Sequence, residues 1–254
     1  MSRGKLCSII IPCFQCKKYL GYTVDSALAQ TYPSMEILLV DDGSQDGTWE
    51  LMRELAKKDP RIRIFQNPKN LGVAETRNFA FRQAQGEYVA FLDSDDLWAP
   101  DKLEKQISLL SQTGCDFCYS SYSFLDAENR PTGHPYLVPK TCSLPQLLKE
   151  NFICCSSVVL RRELVLSHPM NPNYFHEDFV LWIDLLKNGY RGCGHPEPLV
   201  QYRIFAGGRS QNKVKAAHNR WVIYRAHLGL GLFSSCRYFL SYAWNGVRKH
   251  LSTR

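Results

Sequence analysis

Several familiar signatures are missing from this chain of 254 residues, and each absence removes a class of function. No GxGxxG follows the first apolar run, so a dinucleotide-binding Rossmann protein is unsupported. A P-loop lysine motif is missing as well. No uninterrupted apolar segment is long enough to span a bilayer. The first apolar run, Leu6–Pro12, is too short for a secretory signal and ends in proline, so none is expected. There is no internal repeat and no low-complexity stretch. Finally, no Asp or Glu occurs after Glu197.

That last absence divides the charge. Ten of the 31 Lys and Arg lie beyond Glu197, and the remaining 21 face all 24 Asp and Glu, so the long N-terminal part is net −3 while the whole chain is +7. A basic, acid-free end points to an anionic surface, either lipid or nucleic acid. No nucleic-acid recognition motif accompanies the charge, so nucleic acid is not expected as a partner. Trp221, Tyr224, Phe233, Tyr238, Phe239, Tyr242 and Trp244 interleave with the basic residues. An amphipathic helix of this kind can lie in a membrane interface. The alternative is that its aromatics pack on the rest of the protein and its charges are solvated. The ten cysteines are scattered through apparent core strands, and the CxxC pairs Cys13/Cys16 and Cys115/Cys118 lack the setting of a zinc knuckle or redox site. A reducing cytosol is the expected compartment.

With 44% hydrophobic and 22% charged residues the chain reads as globular. Its first hundred residues alternate regularly. Strands are expected at Leu6–Pro12, Met35–Val40, Arg61–Gln66 and Tyr88–Leu92, with helices at Lys18–Gln30, Thr48–Lys58 and Val73–Gln83 between them. This alternation implies βαβ crossovers and a doubly wound α/β fold with a mostly parallel sheet. The pattern then changes: a helix at Asp101–Gln112, a strand at Cys115–Leu125, a loop at Ala127–Thr141, a short helix at Leu144–Glu150, a buried strand at Ile153–Leu160, and a helix beginning near Glu177. Gln201–Ile204 closes the compact part, and two helical segments fill Val214–His250.

Three acidic sites stand out. Asp41-Asp42 and Asp93/Asp95/Asp96 both follow parallel-type strands, which puts them on one sheet edge, where open α/β folds bind ligands. Carboxylates this close repel unless a cation or donor groups offset them. Mg²⁺ or Mn²⁺, shared between such carboxylates and a substrate diphosphate, would do so. A solvated turn and helix cap is the plainer alternative. The third site, Glu177-Asp178, sits in the first turn of a helix, where an anionic carboxylate can serve as a general base or merely as a cap.

Together these segments resemble family 2 glycosyltransferases of the GT-A fold. The matching text is Ser8-Ile-Ile-Ile-Pro12-Cys-Phe14, Val40-Asp-Asp-Gly-Ser-Gln-Asp-Gly-Thr48, Asn70-Leu-Gly-Val-Ala-Glu-Thr-Arg-Asn78, Gly86-Glu-Tyr-Val-Ala-Phe-Leu-Asp-Ser-Asp-Asp-Leu-Trp98 and Pro100-Asp-Lys-Leu-Glu104. The acidic pair with following aromatics at Glu177–Trp182 continues it, and beyond Tyr202-Arg203 it fades. The resemblance implies a GT-A catalytic domain over residues 1–205, with a nucleotide-binding half to about 105 and an acceptor half from 106. A basic, aromatic-rich helical tail, 206–254, would follow. It implies inverting transfer of a sugar from a nucleotide-diphosphate donor, a UDP-sugar by preference, to a hydroxyl of a glycan or lipid-linked acceptor in surface polysaccharide synthesis. Asp41 or Asp42 with Arg77 would hold base and ribose, with Pro12 and Phe14 lining the pocket. Asp93, Ser94 and Asp95 match the DxD segment; Asp95, with Asp93, would hold Mn²⁺ or Mg²⁺. Asp178 matches the catalytic base, Glu177 its neighbour, and Arg203 would offset charge on the leaving diphosphate. Many relatives carry a His shortly after the Tyr-Arg pair; here Ile204-Phe205-Ala206 offers none, and Arg209 or Ser210 is the available substitute. The expected location is cytoplasmic, peripheral at the inner face of the cell membrane if the tail binds lipid. Two rivals stay open: a catalytically silent sugar-nucleotide or glycan-binding protein on the same scaffold, and a nucleotidyltransferase. The latter would normally show a Gly-rich basic loop after the first strand, where this chain has only Lys17-Lys18.

Overall fold

The structure is a computed structural model and describes residues 4–205 and 213–252. Its first part is a regular alternation of β1 (Cys7–Cys13), α1 (Lys17–Leu28), β2 (Met35–Asp41), α2 (Thr48–Lys58), β3 (Ile62–Gln66), α3 (Val73–Gln83) and β4 (Tyr88–Phe91). Then come β5 (Leu97–Trp98), α4 (Lys102–Thr113), β6 (Phe117–Leu125), β7 (Pro131–Tyr136), β8 (Thr141–Cys142) and α5 (Leu144–Lys149). A 3₁₀ turn at Cys155–Ser157 leads into β9 (Val159–Arg161), α6 (Arg162–Ser167), α7 (Glu177–Lys187) and β10 (Gly192–Arg203). The chain ends in α8 (Lys213–Val222), a π turn at Ile223–His227 and α9 (Leu232–Ser252).

One sheet organises all of this, in the order β3-β2-β1-β4-β9-β6-β10-β5. Along that path β3, β2, β1, β4, β6 and β10 run the same way, and only β9 and β5 oppose them. The expected mostly parallel α/β sheet is therefore present. Parallel strands covered on both faces read as continuous apolar runs, and β1, β2 and β4 are buried along almost their whole length.

Turn chemistry fixes how the strands hand over to helices. Asp46 holds the starts of two helices: its carboxylate accepts from the Lys17 N–H (3.1 Å) ahead of α1 and from the Thr48 N–H (3.0 Å) ahead of α2. Gly43 has φ +79°, and a side chain there would press on the backbone of Lys69 and Asn70, so glycine lets the loop after β3 close over the end of β2. On α7, Trp182 is fully buried and packs edge-on against Phe91 of β4 (5.7 Å) and face-to-face with Phe117 of β6 (6.2 Å). Aromatic pairs of this geometry add to the burial of large apolar area. This contact holds the first turn of α7 against the end of β4.

The structure departs from the sequence expectation in the second half. The expected loop 127–141 contains β7, an exposed edge strand on β6, and β8 beside β10; an edge position tolerates the prolines and glycine that argued against a strand. Of the expected strand 153–160 only Val159 and Leu160 belong to a strand, β9, which runs on to Arg161. Ser157 turns the chain before it, with its N–H and hydroxyl both donating to the Cys154 carbonyl (3.0 and 2.7 Å). β10 begins at Gly192, well before Gln201, and its register on β6 slips around Pro198, which hides the alternation a strand would otherwise show. Gly194 allows its close packing, since a Cβ there would lie 2.1 Å from the Pro139 carbonyl oxygen.

The tail is split between two faces. Tyr224 is fully buried and donates to the Leu148 carbonyl (2.5 Å), Trp221, Phe239 and Tyr242 form a ring cluster, and His227 Nε2 lies 2.6 Å from Asp184 Oδ1 of α7. Phe233, Leu240 and Trp244 of α9 instead remain 85%, 70% and 71% exposed. Among the described residues no helix is long and apolar enough to cross a membrane.

Candidate active site

The C-terminal ends of β1, β2 and β4 open onto a cavity of about 830 Å³ lined by Pro12, Cys13, Phe14, Asp42, the 70–74 turn, Arg77, Asp93, Ser94, Asp95, Glu177 and, from α8, Lys215, His218 and Asn219. A second cavity of about 490 Å³ lies on the other side of Asp93. Its walls include Tyr122, Phe124, Cys154, Cys155, His176, Asp178, Tyr202, Arg220 and Tyr242. Asp93 lines both.

Asp41 at the end of β2 and Asp42 just after it have different surroundings. Asp42 lines the first cavity and accepts from Asn67 Nδ2 (2.8 Å) and the Leu71 and Gly72 N–H groups (2.9 Å each), a carboxylate placed at the start of α3. Asp41 is fully buried, off the cavity wall, and accepts from Gln66 Nε2 (2.9 Å) and the Ser44 N–H. Of the expected alternatives, the structure brings Asp42 to the pocket.

Arg77 occupies a different position from the one expected for a base-contacting residue. It is buried, its Nη1 donates to Glu177 (2.8 Å), and its Nη2 donates to Asp93. Burial works against its charge, and Cys155 together with the anions Asp93, Glu177 and Asp178 outweighs this and raises its pKa. The guanidinium thus ties α3, the end of β4 and the start of α7 together, while its edge still lines the first cavity.

Asp96 is fully buried. Ser156 Oγ and the Arg203 N–H (2.9 Å) both donate to its carboxylate, and Ser156 Oγ also accepts from the Asp93 N–H (3.0 Å). Burial, then Asp95 and Asp93, push its pKa well up. Arg203, expected at the leaving diphosphate, lines neither cavity. It is buried, donates to the Asp95 carbonyl (2.6 Å) and the Asp126 carbonyl (2.9 Å), and stacks on Tyr19 at 4.4 Å. Its role in the structure is to brace the acidic loop from behind, because β10 delivers it beneath that loop. Arg209 and Ser210 lie outside the described residues.

Unlike Asp93 and Glu177, Asp95 and Asp178 have no ion-pair partner among the described residues. Burial, then the Asp93 charge, push Asp95 up to about 6. Burial, then Glu177, push Asp178 up to about 6, against the pull of Arg77. Asp95 and Asp93 both offer hard oxygen donors on the first cavity. No group of three or more His, Cys, Asp or Glu side chains among the described residues makes a protein-only cage. Two carboxylates completed by substrate phosphates are a common arrangement for Mg²⁺ or Mn²⁺, so the donor set fits such an ion. Asp178 sits on the second cavity, where a hydroxyl could reach it.

Sequence reasoning missed the contribution of α8. Lys215, His218 and Asn219 line the first cavity and Arg220 the second. Asn219 accepts from the Phe175 N–H (3.0 Å), anchoring α8 to the loop before α7. The signal available was the acid-free basic tail, but its spacing does not reveal which residues fold back.

The mixed α/β fold with its large, mostly parallel sheet is of the GT-A type. The chain belongs to glycosyl transferase family 2, whose profile it matches over residues 8–167. It is 37% identical over 246 residues to a putative teichuronic acid biosynthesis glycosyltransferase, TuaG, of Bacillus subtilis, covering 97% of this chain and 98% of that one. It is 35% identical over 246 residues to an Escherichia coli UDP-Glc:α-D-GlcNAc-diphosphoundecaprenol β-1,3-glucosyltransferase, WfaP, covering 97% of this chain and 96% of that one. In fold it resembles the mannosyltransferase PcManGT of Pyrobaculum calidifontis, solved with GDP-Man and Mn²⁺, at a TM-score of 0.69 and 19% identity over 89% of this chain and 64% of that one.

Removing Arg77 takes a buried guanidinium partner from both Glu177 and Asp93. Arg77→Met should cost roughly 3–5 kcal/mol of stability, read as a lowered denaturant midpoint, whereas Arg77→Lys should lose less. A midpoint unchanged in Arg77→Met would contradict the bridging role.

Proposed function

We propose that this glycosyltransferase moves a sugar from a UDP-sugar, bound in the first cavity, to a hydroxyl of a lipid-linked glycan acceptor bound in the second, in surface polysaccharide synthesis. The observation that carries this reading is that Asp93 stands between two cavities, with Asp95 on one and Asp178 on the other. The uridine donor and the diphosphate-lipid acceptor are supported by the substrates in the name of the E. coli relative.

Asp178 accepts the proton of the acceptor hydroxyl as its oxygen attacks the anomeric carbon. The bond from that carbon to the diphosphate oxygen breaks in the same displacement, inverting the centre and releasing the nucleotide diphosphate. Glu177, ion-paired to Arg77, still raises the basicity of Asp178 beside it, and Arg77 opposes part of that effect. Asp93, held by Arg77, keeps a fixed orientation at the boundary. Pro12, Phe14, Asp42 and Ser94 line the nucleotide side. A divalent ion held by Asp95 and Asp93 would supply Lewis-acid stabilisation of the leaving diphosphate; Mn²⁺ in the Pyrobaculum structure supports this choice. The division proposed from sequence, a nucleotide half to about residue 105, an acceptor half to 205 and a helical tail, is kept with one change: α8 completes both cavities.

The exposed Phe233, Leu240 and Trp244 lie on one stripe of α9, at spacings that share a helix face. With no acidic residue in the tail, this stripe supports peripheral contact with an anionic bilayer, next to which a lipid-linked acceptor would sit.

Asp178→Asn should lower kcat about 10²–10⁴-fold with an unchanged donor KM. Because Asp178 must be ionised to act, log(kcat/KM) in the wild type should fall as pH drops through about 6 and stay flat above it. Asp178→Asn with wild-type turnover, or a profile flat through that region, would refute the assignment. Sedimentation with phosphatidylglycerol vesicles tests the tail: wild type should co-sediment, and the double substitution Phe233→Ser with Trp244→Ser should weaken this at least several-fold. Equal partitioning of both proteins would count against the membrane contact.

A further inference from the structure

We infer that Arg220 forms an anion-binding subsite in the second cavity, one that takes an oxyanion carried by the acceptor: a sugar-linked phosphate or a uronate carboxylate. The inference rests on the reading of that cavity as the acceptor site.

Arg220 is 3% exposed, yet its Nε and Nη1 are buried with no hydrogen-bond partner among the described residues. Its guanidinium lies over the Phe179 ring at 3.4 Å and over Tyr242 at 4.7 Å. These rings hold the plane of the group but cannot accept its in-plane N–H bonds. Tyr224 is a side-chain hydrogen-bonding neighbour of the guanidinium. Two of the guanidinium nitrogens are nonetheless out of water without acceptors, which is unfavourable, and the planar fork matches a phosphate or carboxylate.

The neighbouring acids do not meet that need. Glu150 accepts from the Tyr136 hydroxyl (2.5 Å), and Asp93 is held by Arg77. Asp178 makes no hydrogen bond to Arg220, although its charge acts on it. Arg220 comes from α8 and Tyr242 from α9, so the subsite is assembled by the tail folding back over α7. An acceptor anion seated there would be in the same cavity as Asp178 and would orient the attacking hydroxyl toward it.

Calorimetric titrations with the donor site first saturated by UDP and Mn²⁺ separate this subsite from the donor diphosphate site. The probes are decyl diphosphate, methyl β-glucuronide and uncharged decyl glucoside. In the wild type one of the two anions should bind more tightly than the glucoside, and which one identifies the oxyanion. Arg220→Gln should weaken that anion roughly tenfold or more, and Arg220→Lys should weaken it less. UDP binding by each variant reports that it is folded. If Arg220→Gln does not fold, the wild-type comparison of anions with glucoside still decides. Neither anion exceeding the glucoside while UDP binds, or an affinity unaltered in Arg220→Gln, would overturn the subsite. Failure of UDP to bind the wild type would instead overturn the donor-site reading and the inference with it.

Discussion

Arg77 is the constraint on which the site depends. Three elements far apart in sequence, α3, the loop after β4 and the first turn of α7, meet at one buried guanidinium. Its charge offsets two of the acids that the fold crowds together. Without it, Glu177 would lose its buried guanidinium partner and Asp93 would repel Asp95 and Asp178 without that compensation. The sheet brings the acids close, Trp182 holds α7 against that sheet, and Arg77 makes the resulting arrangement tolerable.

Compensation also sorts the acids by role. Asp96 is satisfied by Ser156 and the backbone of Arg203, and it locks the acidic loop onto β10. Glu177 and Asp93 share Arg77. Asp95 and Asp178 are left without such partners, each raised to about 6 and each facing a different cavity. A carboxylate that the fold leaves short of cations is suited to bind one, or to take a proton from a substrate. In this protein Asp95 and Asp178 line different cavities with Asp93 on both, and the proposed one-step transfer rests on that arrangement.

Much of this was legible in the chain. The βαβ alternation of the first hundred residues gives clear periodicity, and α2 and α3 begin and end where expected because their apolar faces and flanking turns agree. The acidic cluster after β4 and the Glu177-Asp178 pair were visible as types and positions. What was not visible is how side chains are shared. Asp41 and Asp42 are adjacent in sequence, but strand alternation sends them to different surroundings. Arg203 reads as a free cation, yet β10 carries it beneath the acidic loop, where carbonyls take its N–H groups. β7 and much of β10 were hidden by prolines and glycines that an edge or a bulge accommodates. The tail, read either as a membrane face or as packing, packs through Tyr224 and leaves Phe233, Leu240 and Trp244 exposed, and α8 lines the site because Asn219 and Tyr224 pin it down.

The central claim is that Asp95 serves the donor and Asp178 the acceptor, on the two sides of Asp93. The most direct test is titration of UDP, with Mn²⁺ and again with EDTA, into wild type, Asp95→Ala and Asp178→Asn. The account predicts Mn²⁺-dependent binding to the wild type, its loss in Asp95→Ala, and its retention in Asp178→Asn. Equal loss in both variants, or undiminished Mn²⁺-dependent binding to Asp95→Ala, would contradict it.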